Sequence, residues 1–276
     1  MNKRLKVFAV CITAAVLAGC SSQNAPPQKG TPAFYWLAAN ETYAAGDYVK
    51  TVDHLRMIVN TDNEYKDKAL PWLLVMTSGL ASGYADLAES YEAGARVRKA
   101  DPAPFRKNMS TYRTLAARYS LQFAEAFEIF QKTAKETVPL EFKYPVGNPA
   151  RPPLLTKIMM GAYLQGVEPS TAEKHAVERG VLLRTCDAVG APNDAAKTQE
   201  MLKAGGAQVP RDTFLMAMAE ALYEHSQLYI RRKMDQPDKL KILCGRAGDV
   251  LKQLPESKER KELLSKIQAT LKENKV

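Results

Sequence analysis

The chain has 276 residues, 46% hydrophobic and 8% aromatic, which fits a globular chain with one sizeable core or two small ones rather than a disordered one. Its formal charge of +9 makes it basic. That balance suits nucleic acid, anionic lipid, acidic wall polymers or an acidic protein as partner, and the N-terminus excludes the first of these.

Lys3, Arg4 and Lys6 precede an almost unbroken apolar run from Val7 to Ala18. These are the charged and hydrophobic regions of a secretory signal, and the run is too short to span a bilayer. It closes in Leu17-Ala18-Gly19-Cys20. This motif resembles the lipobox of bacterial lipoproteins, where small residues admit the peptidase and the thiol takes a diacylglycerol. The resemblance implies that residues 1–19 are cleaved and that Cys20 becomes the acylated first residue, the anchor to the membrane. Ser21 and Ser22 lack the aspartate that family sorting rules associate with inner-membrane retention, so an outer membrane, facing the periplasm, is expected. Export removes nucleic acid as a partner. The leader carries three cations and no acids, which leaves the mature chain at +6. Residues 20–30 read as the lipidated cysteine followed by a solvated tether.

Apolar residues then recur at three- and four-residue spacing from Phe34 to Leu271, without sustained alternation of β-branched residues, and the fold is expected to be all-α. Thr31 before Pro32 reads as a cap and N1 proline. Gly46 stands where a helix-terminating glycine belongs, and Asp47 can cap the next helix, to about Asn60. Thr61 to Glu64 has the form of a capping box, which predicts helices over 64–78 and 80–99. Asp101-Pro102 marks a break before a helix over 104–137. Five prolines between Val138 and Pro153 predict a long irregular connection, dividing a first helical part (31–137) from a second (154–276). In the second part, helices are expected near 154–166, 171–189, 194–204, 211–233, 237–253 and 256–273. Ser170 to Glu173 offers a further capping box.

Tyr35, Ala38, Ala39, Gly46, Tyr48, Leu55 and Ile58 follow the pattern of one tetratricopeptide (TPR) unit, in which glycine permits the turn and alanines let two helices approach. The segment resembles that repeat, although Thr42 and Thr51 replace its usual aromatic and alanine. A weaker echo runs from Leu80 to Val97. The resemblance implies TPR-like helical hairpins forming a short solenoid, or an irregular helical bundle, with a surface that grips a peptide or helix. Asn40 falls where peptide-clamping repeats carry asparagine, but Trp36 and Leu37 replace the accompanying lysines. Trp36 reads as core or as an anchor for a partner. The region Leu70 to Ala126 also resembles the periplasmic TPR-like lipoprotein partner of TRAP transporters.

For catalysis the sequence is poor. His54, His175 and His225 lie far apart, with no metalloprotease motif and no glycine-framed serine, so no catalytic residue, metal or cofactor is expected. Glu125 with Glu128, and Glu220 with Glu224, set carboxylate pairs on helix faces, an arrangement more common on solvated helices than in glycosidases. Arg231, Arg232 and Lys233, with Lys239, Lys241 and Arg246 nearby, form the most coherent basic cluster, either a partner contact or cations at a helix C-terminus. After processing, Cys186 and Cys244 remain, an even pair in an oxidising compartment. A disulfide is expected, the alternative being two small buried hydrophobes. The expected function is that of an envelope adaptor binding another protein or peptide. The alternatives are a solute-binding accessory of a transporter, if a closed cavity exists, and a wall hydrolase.

Overall fold

The computed structural model describes residues 26–133, 135–144, 149–162, 169–203 and 205–276. The expected leader and Cys20 lie outside them. No helix among the described residues is long and apolar enough to cross a membrane.

The fold is all-α. A hairpin of α1 (Pro32–Ala44) and α2 (Tyr48–Val59) leads to α3 (Lys66–Val97) and α4 (Ala103–Gln131). After them come α5 (Pro153–Met159), α6 (Pro169–Ala188), α7 (Ala195–Met201), α8 (Arg211–Ser226), α9 (Pro237–Gln253) and α10 (Lys258–Glu273). Thr31 caps α1 by accepting the Phe34 amide at 3.3 Å, with Pro32 at the first helical position. Gly46 turns the chain at φ +75°, and Asp47 caps α2 by accepting the Lys50 amide. Tyr48 is buried against Tyr43, ring centroids 5.7 Å apart.

The centre of the bundle is α3. It packs against α2, α4, α5, α6 and α8, and nearly every residue from Ala69 to Leu80 is buried. The break expected between residues 78 and 80 is absent. Gly79 and Gly83 interrupt the apolar pattern, yet they lie inside one continuous helix, where missing side chains let α6 approach. A Cβ at 79 would stand 2.7 Å from the Val181 Cα, and one at 83 would stand 2.5 Å from the Ala176 carbonyl oxygen. The helix is 32 residues long, almost the length of a whole tetratricopeptide unit, so Leu80 to Val97 forms no second hairpin. Nor does Thr61 cap α3. Asn63 accepts the Tyr65 amide at 2.9 Å instead, and the helix begins two residues later than expected.

Against α4, α3 presents a ladder of tyrosines: Tyr91 stacks on Tyr112, Tyr112 on Tyr84, and Tyr84 on Tyr119 at 5.7 Å. Tyr84 also donates to Glu173 of α6, which ties the three helices together.

The proline-rich connection also departs from expectation. Thr137–Leu140 (β1) pairs antiparallel with Ala207–Pro210 (β2), Thr137 opposite Pro210 and Leu140 opposite Ala207. Four-residue strands, each carrying one proline, are too short to show alternation. The pair nonetheless holds the connection against the bundle, with Val138 and Leu140 buried. Phe142 follows, stacked on Trp72 of α3 at 5.1 Å. The first helical part therefore shares one core with the second.

Candidate functional site

The path of the 137–144 segment creates a cleft. Its walls are the end of α1 with its turn (Asn40, Tyr43 and Gly46), the start of α2 (Tyr48), Lys143 and Tyr144 beyond β1, and Lys174 and Glu178 on one face of α6. The cavity measures about 590 Å³. Its chemistry is aromatic with a polar rim. Tyr43 is only 6% exposed, its ring packed edge-on to Trp72 and Phe142, and its hydroxyl meets no hydrogen-bond partner among the described residues. Burial, reinforced by Tyr48 and Tyr144, pushes its pKa well up. Burial and then Glu178 raise Tyr48 to about 12. Tyr144 shares a hydrogen bond with the Cys186 thiol at 3.4 Å. All three phenols are therefore neutral at physiological pH. At the rim, Lys143 and Lys174 are exposed and form no ion pair among the described residues.

Asn40 belongs to this cleft, its side-chain amide donating to the Trp36 carbonyl at 2.8 Å. Trp36 does not. Its ring is half-buried, 5.5 Å from Trp72 and 5.8 Å from Tyr65, which makes it part of the packing under α1. The basic cluster is a separate surface, and α8 ends at Ser226 rather than running to Lys233. Arg231 and Arg232 are exposed in the turn after it, while Lys233 is held by Glu89 of α3 at 2.6 Å. Arg246 is held by Glu128 of α4 at 2.8 Å. The strongest basic signal in the sequence is thus partly spent on joining the turn and α9 to the central helices.

Cys186 and Cys244 are free and fully buried, contrary to the expected disulfide. Each has its own partner: Cys186 the Tyr144 hydroxyl, Cys244 the Ser226 hydroxyl at 3.3 Å. Cys186 faces the segment beyond β1 and Cys244 faces α8, so each fills a different part of the core.

A second recess, of about 410 Å³, lies between α8 and the α9–α10 turn, lined by Met216, Ala217, Leu254 and Pro255 together with Asp187, Asp212 and Glu220. Beneath it Arg184, almost fully buried, reaches Glu224 at 2.5 Å, Asp187 at 3.2 Å and Ser82. Burial raises the carboxyl groups of Asp187 and Glu220. A Ser–His contact also exists, Ser78 to His225 at 2.9 Å. Both residues lie in the core, 0% and 2% exposed, and neither lines the recess or the cleft. Burial and the nearby Arg184 push the His225 pKa well down, so it is a neutral core imidazole. Among the described residues no three His, Cys, Asp or Glu side chains come together as metal ligands would.

No protein-family model matches this chain, and no curated protein and no solved structure resembles it significantly.

The sequence points to Asn40 and to the Gly46 turn but not to the other wall. Lys143 and Tyr144 sit in a stretch that its prolines make look like linker. Lys174 and Glu178 have the spacing of any solvated helical pair.

Proposed function

We propose that this chain is an envelope lipoprotein, anchored through Cys20, whose helical domain is an adaptor binding a segment of another periplasmic or membrane protein in the cleft beside α1. The observation that carries this reading is the cleft itself. An opening with tyrosine walls and an amide-and-lysine rim suits a peptide segment better than an apolar solute. Tyrosine gives large, rigid contact area at low entropic cost.

Two experiments test the parts separately. A photo-crosslinking residue at Asn40, in cells carrying the full-length lipoprotein, should trap a discrete envelope protein. The same residue at exposed Ile242 on α9 should not. Equal capture from both positions would remove the cleft from the interface. For the anchor, Cys20→Ser should abolish labelling by a palmitate analogue.

A second reading, a solute-binding accessory of a transporter, draws on the recess beside Met216 and Leu254. A wall hydrolase is less well supported, because Asp187 is engaged by buried Arg184 rather than free to face a substrate.

A further inference from the structure

We propose that the cleft takes an acidic stretch of the partner, a side-chain carboxylate held between Lys143 and Lys174 and directed at the Tyr43 and Tyr48 side chains that line the cleft. This rests on the reading of the cleft as the partner-binding site.

Three observations converge. The Tyr43 hydroxyl is a donor buried from water without an acceptor among the described residues, and such a group is costly unless something supplies the acceptor. Tyr43 and Tyr48 both hold their protons tightly, so the floor offers O–H donors, the chemistry that an oxyanion accepts. The rim lysines come from elements far apart in sequence, the segment beyond β1 and α6, and both border the same cavity, neither of them in an ion pair among the described residues.

The contrast with the other basic cluster sharpens the assignment. Lys233 and Arg246 are as prominent in sequence, but Glu89 and Glu128 already neutralise them. Among the described residues Glu178 is the one acid of the rim, set four residues from Lys174. It would repel a second carboxylate at its end of the cleft and receive an N–H or a cation instead. The ligand it fits is therefore acidic at one point with a donor beside it, not a uniformly anionic polymer. The positive charge of the mature chain would favour the encounter of such a segment.

The test uses the full-length lipoprotein in detergent and fluorescent peptides read by anisotropy. The probes are a short amidated peptide of alternating glutamate and serine, its glutamine counterpart, and the glutamine peptide with a free terminal carboxylate. The glutamate peptide should bind saturably, and about tenfold more tightly than either neutral probe. Lys143→Gln with Lys174→Gln should remove that preference, while Arg231→Gln with Arg232→Gln should leave it intact.

Tyr43→Phe separates the proposed role from a structural one. Removing an unpartnered hydroxyl should hold or raise the melting temperature while weakening glutamate-peptide binding several-fold. Equal affinity for glutamate and glutamine peptides, binding insensitive to both lysines, or unchanged binding by Tyr43→Phe would overturn the proposal. So would equal affinity for the free-carboxylate neutral peptide, which would assign the site to a chain terminus. If crosslinking from Asn40 still traps a protein while the peptides fail, the partner site stands and the acidic ligand falls.

Discussion

Gly180 of α6 lies backbone to backbone against Gly79 of α3: a Cβ at 180 would stand 2.2 Å from the Gly79 carbonyl oxygen and 2.7 Å from the Gly83 amide nitrogen. Neither neighbour is a side chain that can swing away. Both belong to helical backbone in the most buried part of the fold. Gly180→Ala should therefore push the two helices apart and cost about 1–3 kcal/mol, as overpacking does. For a chain of this size the melting temperature should fall by roughly 3–10 °C. Because α6 carries Lys174 and Glu178, cleft binding should weaken with it. An unchanged melt would refute the close approach.

These glycines also show how much of the molecule the sequence discloses. The signals that worked act within a few residues: Thr31 before Pro32, Gly46 before Asp47, and the apolar period of α9. Gly79 misled because, read locally, a glycine flanked by apolar runs weakens a helix. What keeps α3 whole is a partner helix about a hundred residues later. The cleft was hidden for the same reason. Asn40, Lys143 and Lys174 become neighbours only through the short β-pairing at 137–140, and strands of four residues with a proline in each carry no readable alternation. The cysteine pair was misread by counting, since number and compartment say nothing about distance. Cys186 is used by Tyr144, and Cys244 by Ser226.

That separation makes a prediction about reactivity. Both thiols are at 0% exposure, and burial pushes the pKa of the Cys244 thiol up. A thiolate-seeking reagent should leave Cys186 and Cys244 of the native protein untouched and titrate both only after unfolding in guanidinium. Reductant should not shift the melting temperature. Recovery of a linked Cys186–Cys244 peptide from non-reduced protein would contradict the structure.

His225 gives the acid limb of stability its sign. Its folded pKa lies below the ordinary 6.5, so on acidification the unfolded chain takes up a proton that the folded chain refuses. Stability from this group is complete above the unfolded value. It is lost as pH falls from about 6.5 toward the depressed folded value. The melting temperature should thus drop between pH 7 and 5. His225→Gln should begin lower, having lost the fitted contact with Ser78 and Phe123, but should fall less steeply. An imidazole resonance of His225 titrating near 6.5 in the folded protein would refute the assignment.

The Gly46 turn can be tested against a glycine of the opposite kind. Gly46 has φ +75° and no atom within 4 Å of where a Cβ would go, so a side chain there meets strain in the backbone and nothing else. Gly46→Val should cost about 1–2 kcal/mol, the penalty of the left-handed region for a residue with a Cβ. Gly46→Asn should cost less, because asparagine tolerates that region. Gly245 on α9 has equally open surroundings, but its φ is not positive. There alanine should stabilise by roughly 0.5–1 kcal/mol, by restricting the unfolded chain and favouring helix. Paired melts of the two substitutions separate conformation from crowding, since space is the same at both sites and only the backbone differs. An unchanged melt for Gly46→Val would mean that the α1–α2 turn does not require glycine. The edge of the cleft, which Gly46 forms beside Tyr43 and Tyr48, would then be held by packing alone.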